Sequence, residues 1–208
     1  MVALIESHYL PSIAFFAALC ESNEVVLEKH EHYIKQSYRN RCHIVSAQGK
    51  ETLIVPLTSK HGKVSISEVR IDYSQKWLNN HWRTITSAYG KAPFFEHYAD
   101  ELEKQLFRQP IFLYDLTRDL LSMCLKWLKW GTTIKETEKF EKTAPASVLD
   151  LRSALDAKDQ TNLSQFYLPV TYPQVFGNTF VANASIIDLI FCMGPEASRI
   201  IRASVPQR

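Results

Sequence analysis

Glycine is scarce in this chain, with six among 208 residues. They spell no G-x-G-x-x-G, no P-loop and no G-x-S-x-G. The backbone cradles that hold dinucleotides and triphosphates, and the nucleophile elbow of hydrolases, therefore lose their usual warrant. No cofactor is expected. An excess of one charge is also missing: 24 Lys and Arg stand against 22 Asp and Glu, a formal net charge of +2. That balance argues against a nucleic-acid protein and makes any basic patch a local one. Cysteine is sparse too. Cys20, Cys42, Cys124 and Cys192 lie far apart and form no C-x-x-C, so buried free thiols in a reducing compartment are expected rather than a disulfide framework.

Long apolar runs are absent as well. None approaches the roughly 18 residues of a membrane-spanning helix, so no transmembrane segment is expected. The first residues lack a basic n-region, and Glu6, Ser7, His8 and Pro11 interrupt their apolar character. They read as a strand, a turn and a helix rather than a signal peptide, which points to a cytoplasmic protein. There is no internal repeat and no low-complexity tract.

What is present suits an ordinary globular protein: 46% hydrophobic and 22% charged residues. One α/β domain across 1–208 is expected, with a loop-rich excursion around 136–170. Residues 2–5 and 24–28 read as strands around a helix carrying Ile13, Phe15, Phe16 and Leu19, a βαβ unit with a parallel pair. Gly49 sits in a turn between two strand-like runs, 42–47 and 51–57, which predicts a β-hairpin. Together these predict a mixed sheet, packed by a central helical segment and C-terminal helices. Residues 63–71 alternate like a strand with a bulge. From Ser74 the spacing of Trp77, His81, Ile85 and Tyr89 is helical, and two more apolar stripes follow, one from Pro93 and one through 111–130. A partly helical stretch is expected at 151–157. Ser12, Ser74 and Ser185 read as helix caps.

Several constellations carry chemistry. Lys35, Arg39 and Arg41 fall within seven residues, with Tyr33, Tyr38 and Asn40 among them. On an extended segment alternate residues share a face, so the three cations can converge on a phosphate or carboxylate. The other reading is a charged, solvated edge strand. His8 follows the first strand, at the carboxyl end where ligands of α/β sheets bind, and an imidazole can act there as general acid or base near neutral pH. Trp77, His81 and Trp82 combine aromatic faces with a second imidazole; they suit a stacking floor or a packed core equally. His30 and His32 flank Glu31, but no H-E-x-x-H or Cys/His pairing accompanies them, so no metal is expected. Asp150, Arg152, Tyr172 and Gln174 lie in loop-rich sequence, where sites and plain surface both occur.

Six stretches together resemble the WbqC-like proteins of bacteria: SHYLPSIAFF (7–16), KQSYRNRCHI (35–44), TLIVPL (52–57), IDYSQKWLNNHWRTITSAYGKAPFFEHY (71–98), YPQVF (172–176) and FVANASIIDLIFCMGPEA (180–197). They follow the family order across nearly the whole chain, and the H-Y-x-P of residues 8–11 is similar to the shorter Bacteroidetes-type form. Ala184 stands where a leucine is usual and Cys192 where asparagine is common. The resemblance implies a place among genes for O-antigen and other surface polysaccharides. It implies modification of a sugar or transfer of a glycosyl, acyl or aminoacyl group, and with Lys35, Arg39 and Arg41 as phosphate ligands the expected substrate is a phosphorylated or nucleotide-linked sugar. The matching polar positions suggest His8 and His81 as catalytic residues. They suggest Tyr9, Lys35, Ser37, Tyr38, Arg39, Asn40, Arg41, Trp77, Trp82, Tyr172 and Gln174 as substrate-binding. Expected partners are that small-molecule substrate and enzymes of the polysaccharide pathway, with no nucleic acid. A non-catalytic protein that recognises a polysaccharide intermediate or a partner enzyme is the rival reading.

Overall fold

The apolar run VALIE becomes β1 (Val2–Glu6), and EVVLE becomes β2 (Glu24–Glu28), joined by α1 (Ile13–Leu19). The two strands are parallel, with Leu4 opposite Val26 and Glu6 opposite Glu28. This is the computed structural model of the chain, which describes residues 1–58, 63–159, 161–177 and 179–207. Parallel neighbours complete a four-stranded sheet in the order β5-β2-β1-β6, with β5 at Thr133–Glu136 and β6 at Val148–Asp150. Strand alternation puts Ala3, Ile5, Val25 and Leu27 on one face, and all four are fully buried in the main hydrophobic cluster.

The hairpin forms around Gly49, whose φ of 93° suits the turn. Its strands are β3 (Arg41–Ser46) and β4 (Gly49–Ile54), paired from Arg41–Ile54 to Ser46–Gly49. The α/β class, the βαβ unit and the hairpin are therefore as the sequence predicts. The hairpin does not join the βαβ strands in one sheet, because β6 takes the free edge of β1 and, among the described residues, β3 and β4 form a two-stranded sheet of their own. Three other local expectations fail. Residues 63–71 form a short 3-10 turn, Ile66–Glu68, between the single bridges His32–Ser65 and Arg70–Phe112, with Leu57–Ile71 following. Residues 151–157 turn rather than coil into a helix. None of the three serines makes a side-chain cap. Ser74 is held by Asp72, and Ser185 donates instead to the Leu10 carbonyl at 2.8 Å.

The central helices follow their apolar stripes. They are α2 (Trp77–Tyr89), α3 (Phe95–Leu106) and α4 (Leu113–Trp127). Trp77, His81, Ile85 and Tyr89 all point inward from α2. The Tyr89 hydroxyl accepts the Val45 N–H at 2.9 Å and so ties α2 to the hairpin. Nearly every residue of α5 (Ile186–Met193) is buried, and α6 (Ala197–Ala203) follows it. Hydrogen bonds from Ile186 N–H to Pro11 and from Ser185 N–H to His43 lock the start of α5 between the β1–α1 loop and the hairpin. No helix among the described residues is long and apolar enough to cross a membrane. Three of the four cysteines are buried and all are free. Burial pushes the Cys192 thiol up to about 12 and drives Cys42 and Cys124 up as well, which makes them poor nucleophiles.

Gly194 ends α5 at φ 51° and ψ −123°, a conformation that side chains avoid. A Cβ there would lie 2.5 Å from the Phe94 ring. Gly194→Ala is therefore expected to cost about 2 kcal/mol, from backbone strain and forced movement of that ring. A denaturant titration checks it, and an unchanged midpoint would refute the tight turn.

Candidate functional site

The carboxyl ends of β1 and β2 deliver charged side chains into the interior. Glu6 and Glu28 end the two strands side by side. They are 1% and 0% exposed. Such groups persist only when paired or hydrogen-bonded, and both are. The Ser153 N–H donates to Glu6 Oε2 at 2.9 Å, and His8 Nε2 lies 3.3 Å from Glu6 Oε1. Glu28 accepts the His30 N–H at 2.8 Å, the Thr137 hydroxyl at 2.9 Å and Arg152 Nη1 at 3.2 Å. Arg39, 3% exposed, grips Glu31 through Nε and Nη2, both at 2.7 Å, with Glu6 Oε1 at 3.7 Å from Nη2. The fork geometry of that bidentate pair is the strong, charge-assisted kind and works against the burial that pushes the Glu31 carboxyl up.

Burial works against the Glu6 charge, but His8, Arg39 and the Ser153 N–H outweigh it and hold the carboxyl below its ordinary range. Burial likewise lowers His8, despite Glu6 beside it. A neutral His8 donates from Nε2 to Glu6 and leaves Nδ1 a bare acceptor, with no partner among the described residues. Its ring packs 4.9 Å from Phe15 and 5.3 Å from Tyr38. It is 1% exposed and does not line the groove described below.

Lys35, Arg39 and Arg41 do not share one face, because residues 35–40 turn twice instead of running extended. Gln36 adopts φ 59°, and Ser37 Oγ donates to the Ile34 carbonyl at 2.7 Å to close the first turn. Arg39 consequently points inward to Glu31, while Lys35 faces solvent. Arg41 opens β3 half-buried, and its Nε has no hydrogen-bond partner among the described residues.

Lys35 and Asn40 do meet, in a groove of about 420 Å³ between the end of β4 and residues 64–70. Its walls are apolar, from Ile54, Val55, Pro56, Leu57, Val64 and Val69, with Tyr33 and Arg70 at the polar end. Arg70 lies over the Phe112 ring at 5.3 Å. Among the described residues neither Lys35 nor Arg70 pairs with a carboxylate, and none of those that line the groove is a carboxylate. Asn40 donates through Nδ2 to the Val55 carbonyl at 2.9 Å, which leaves Oδ1 buried without a partner there. Burial raises the Tyr33 phenol, and Arg41 and Arg39 pull it partly back, which places both guanidinium groups near it. An apolar cavity with a few converging polar groups is the usual form of a small-molecule site.

The remaining candidates lie elsewhere. The Tyr9 hydroxyl and His81 Nδ1 are 3.0 Å apart. Trp77 is 5% exposed and packs against His81 with ring centres 5.0 Å apart. Burial lowers His81 to about 4, although it also donates to the Ile54 backbone. His81 does not itself line the groove, although Ile54, whose backbone it meets, does. Tyr38 is buried between His8 and His43. Trp82 stacks on Phe95 and borders a separate surface hollow with Asn79 and Arg83. Tyr172 and Gln174 both bond Asp188 Oδ2, at 2.5 and 2.9 Å, and fasten their loop to α5.

Sequence reasoning passed over Glu6, Glu28 and Arg70. Glu6 and Glu28 carried a readable signal: each closes an apolar strand on the face opposite its core residues, where a charge needs a partner. Arg70 carried none, because its place depends on a non-local bridge to Phe112.

Compared with known proteins, residues 6–166 match the model of the WbqC-like protein family. The chain is 28% identical over 228 aligned positions to an uncharacterized protein of Mycobacterium tuberculosis, covering 97% of each. No solved structure matches the chain.

Proposed function

The chain belongs to the WbqC-like protein family, and from that premise we propose that it binds a phosphorylated or nucleotide-linked sugar in the Lys35–Arg70 groove. In this reading it serves in the cytoplasm as a transferase of surface-polysaccharide assembly, moving a glycosyl, acyl or aminoacyl group. The observation that carries the proposal is the groove's unbalanced charge: among the described residues its lining holds two cations, a buried Asn40 acceptor without a partner and no carboxylate. Lys35 and Arg70 would hold phosphate oxygens, and Asn40 Oδ1 would accept from a sugar hydroxyl or a base N–H. The apolar walls would exclude water from the rest of the ligand and strengthen those contacts.

Calorimetric titration with a panel of sugar phosphates and nucleotide sugars tests the reading. At least one member is expected to bind, and Lys35→Ala with Arg70→Ala should weaken it about a hundredfold, roughly tenfold for each lost charged hydrogen bond. Unchanged affinity in the double variant, or no binding by any member, would sink the proposal.

A second reading has its own support. His8 and His81 are both buried and partnered away from the groove, which favours a binding or assembly protein without catalysis. Mass spectrometry of the bound ligand, after incubation with hydroxyl and amine acceptors, separates the two. A transferase gives a modified acceptor, whereas a binding protein returns both compounds unchanged.

A further inference from the structure

The parallel sheet has a second face. Leu4 of β1 stands beside Val26 of β2, and Val2 lies opposite Val148 of β6. Parallel sheets are normally covered on both sides. Leu4, Val26 and Val148 nevertheless stand outside the main hydrophobic cluster. Thr137, Glu138, Lys139, Glu141, Ala144 and Pro145, from the stretch that follows β5, line with them a half-open cavity of about 280 Å³. Ala144 and Pro145 add apolar surface to its lining, and Glu28 with Arg152 a polar part. Arg152 fastens this stretch. Its Nη1 donates to the Glu141 carbonyl at 2.7 Å, its Nη2 bonds Asp150 at 2.6 Å, and it sits over the Phe140 ring at 5.5 Å.

We propose that this cavity takes a short, uncharged aliphatic chain, such as the acyl part of an acyl donor. An apolar cavity of about 150 Å³ is known to hold benzene, so 280 Å³ has room for a chain of roughly six to ten heavy atoms. The floor is aliphatic throughout. The polar part offers no free charge, since both Glu28 oxygens are bonded and Arg152 is committed to Glu28, Asp150 and the Glu141 carbonyl. Around the cavity Glu28, Glu138 and Glu141 outnumber Lys139 and Arg152, which disfavours an anion. The cavity shares no lining residue with the groove, so this inference does not rest on the sugar-binding reading.

Methyl-detected NMR of the full chain, with labelled Leu and Val, tests it using hexanamide and hexanoate as probes. Hexanamide is expected to shift the methyls of Leu4, Val26 and Val148 in a saturable way, with hexanoate at least tenfold weaker. Ala144→Trp, in the stretch after β5, should abolish the shifts, and Val148→Phe, on the edge strand, gives the same test from the floor. Lys35→Ala with Arg70→Ala should leave them unchanged. Shifts that scatter over the molecule, fail to saturate, persist in both filled variants, or are as strong with hexanoate overturn the proposal.

Discussion

Arg39→Ala is expected to destabilise the chain by about 3–5 kcal/mol, the usual cost of leaving a buried carboxylate without its partner. Glu31 would lose both of its 2.7 Å contacts, and Glu6 would lose the guanidinium 3.7 Å away. Burial already pushes the Glu31 carboxyl up with Arg39 in place; without Arg39 it would take up a proton more readily still. Lys35→Ala, by contrast, should stay within about 0.5 kcal/mol of the parent, because Lys35 is exposed and has no partner among the described residues. Adding Glu31→Gln to the Arg39 variant should restore part of the loss, since the orphaned charge goes with it, and a coupling above about 1 kcal/mol is expected for groups in direct contact. Urea titrations of the single and double variants measure all of these. If Arg39→Ala leaves the midpoint unchanged and instead weakens an anionic ligand, the guanidinium faces the groove, as an extended segment would have placed it.

The same segment shows where the sequence could be read and where it could not. Periodicity is local, so it disclosed β1, α1, β2, the Gly49 hairpin and the inner stripe of α2. It also set Lys35 through Arg41 apart as an unusual concentration of polar chemistry. The direction of each side chain depended on something else. Two turns, one through Gln36 at φ 59°, rotate Arg39 toward Glu31 and leave Lys35 outside. Glutamine gives no warning of a left-handed residue. The three-residue β6 is too short for any alternation to be visible, yet it fixes the sheet edge. The groove needed the non-local bridges Leu57–Ile71 and Arg70–Phe112, which no window of sequence contains. Trp77 and His81 were equally compatible with a ligand floor and a core; the structure buries them, with Trp77 at 5% exposure and His81 at 6%. Tyr172 and Gln174 read from sequence as loop polar groups, and their partner Asp188 lies on a helix that reads from sequence as apolar.

Stability is expected to fall by about 3 kcal/mol between pH 6.5 and pH 4 on account of His81 alone. Its imidazole is held at about 4 in the folded chain, against an ordinary value of 6.5, because burial disfavours the charged ring. The folded pKa is the lower one, so the unfolded chain takes up the proton first as pH falls. The stabilising contribution is complete above pH 6.5 and is lost as pH drops toward the folded value. A gap from 6.5 to about 4 at about 1.4 kcal/mol per pH unit gives the magnitude. At 6% exposure little solvent screening reduces it. The hydrogen bonds agree with a neutral ring: the Tyr9 hydroxyl faces Nδ1 at 3.0 Å, and the imidazole donates to Ile54. His43, also lowered to about 4 but only half-buried, and the paired carboxylates add to the acid sensitivity. The His81→Gln variant isolates the contribution, because it should flatten the pH dependence by that amount while keeping a donor and an acceptor for Ile54 and Tyr9. NMR titration of the His81 ring provides the direct check: a midpoint near 6.5 would mean that the ring is solvated. The consequence reaches the groove, since Ile54 is one of its walls. A ligand that needs that wall in place should bind progressively more weakly as His81 takes up its proton, and His81→Gln should remove that part of the pH dependence. His81 then affects the site through the backbone it holds rather than through a proton it passes to substrate.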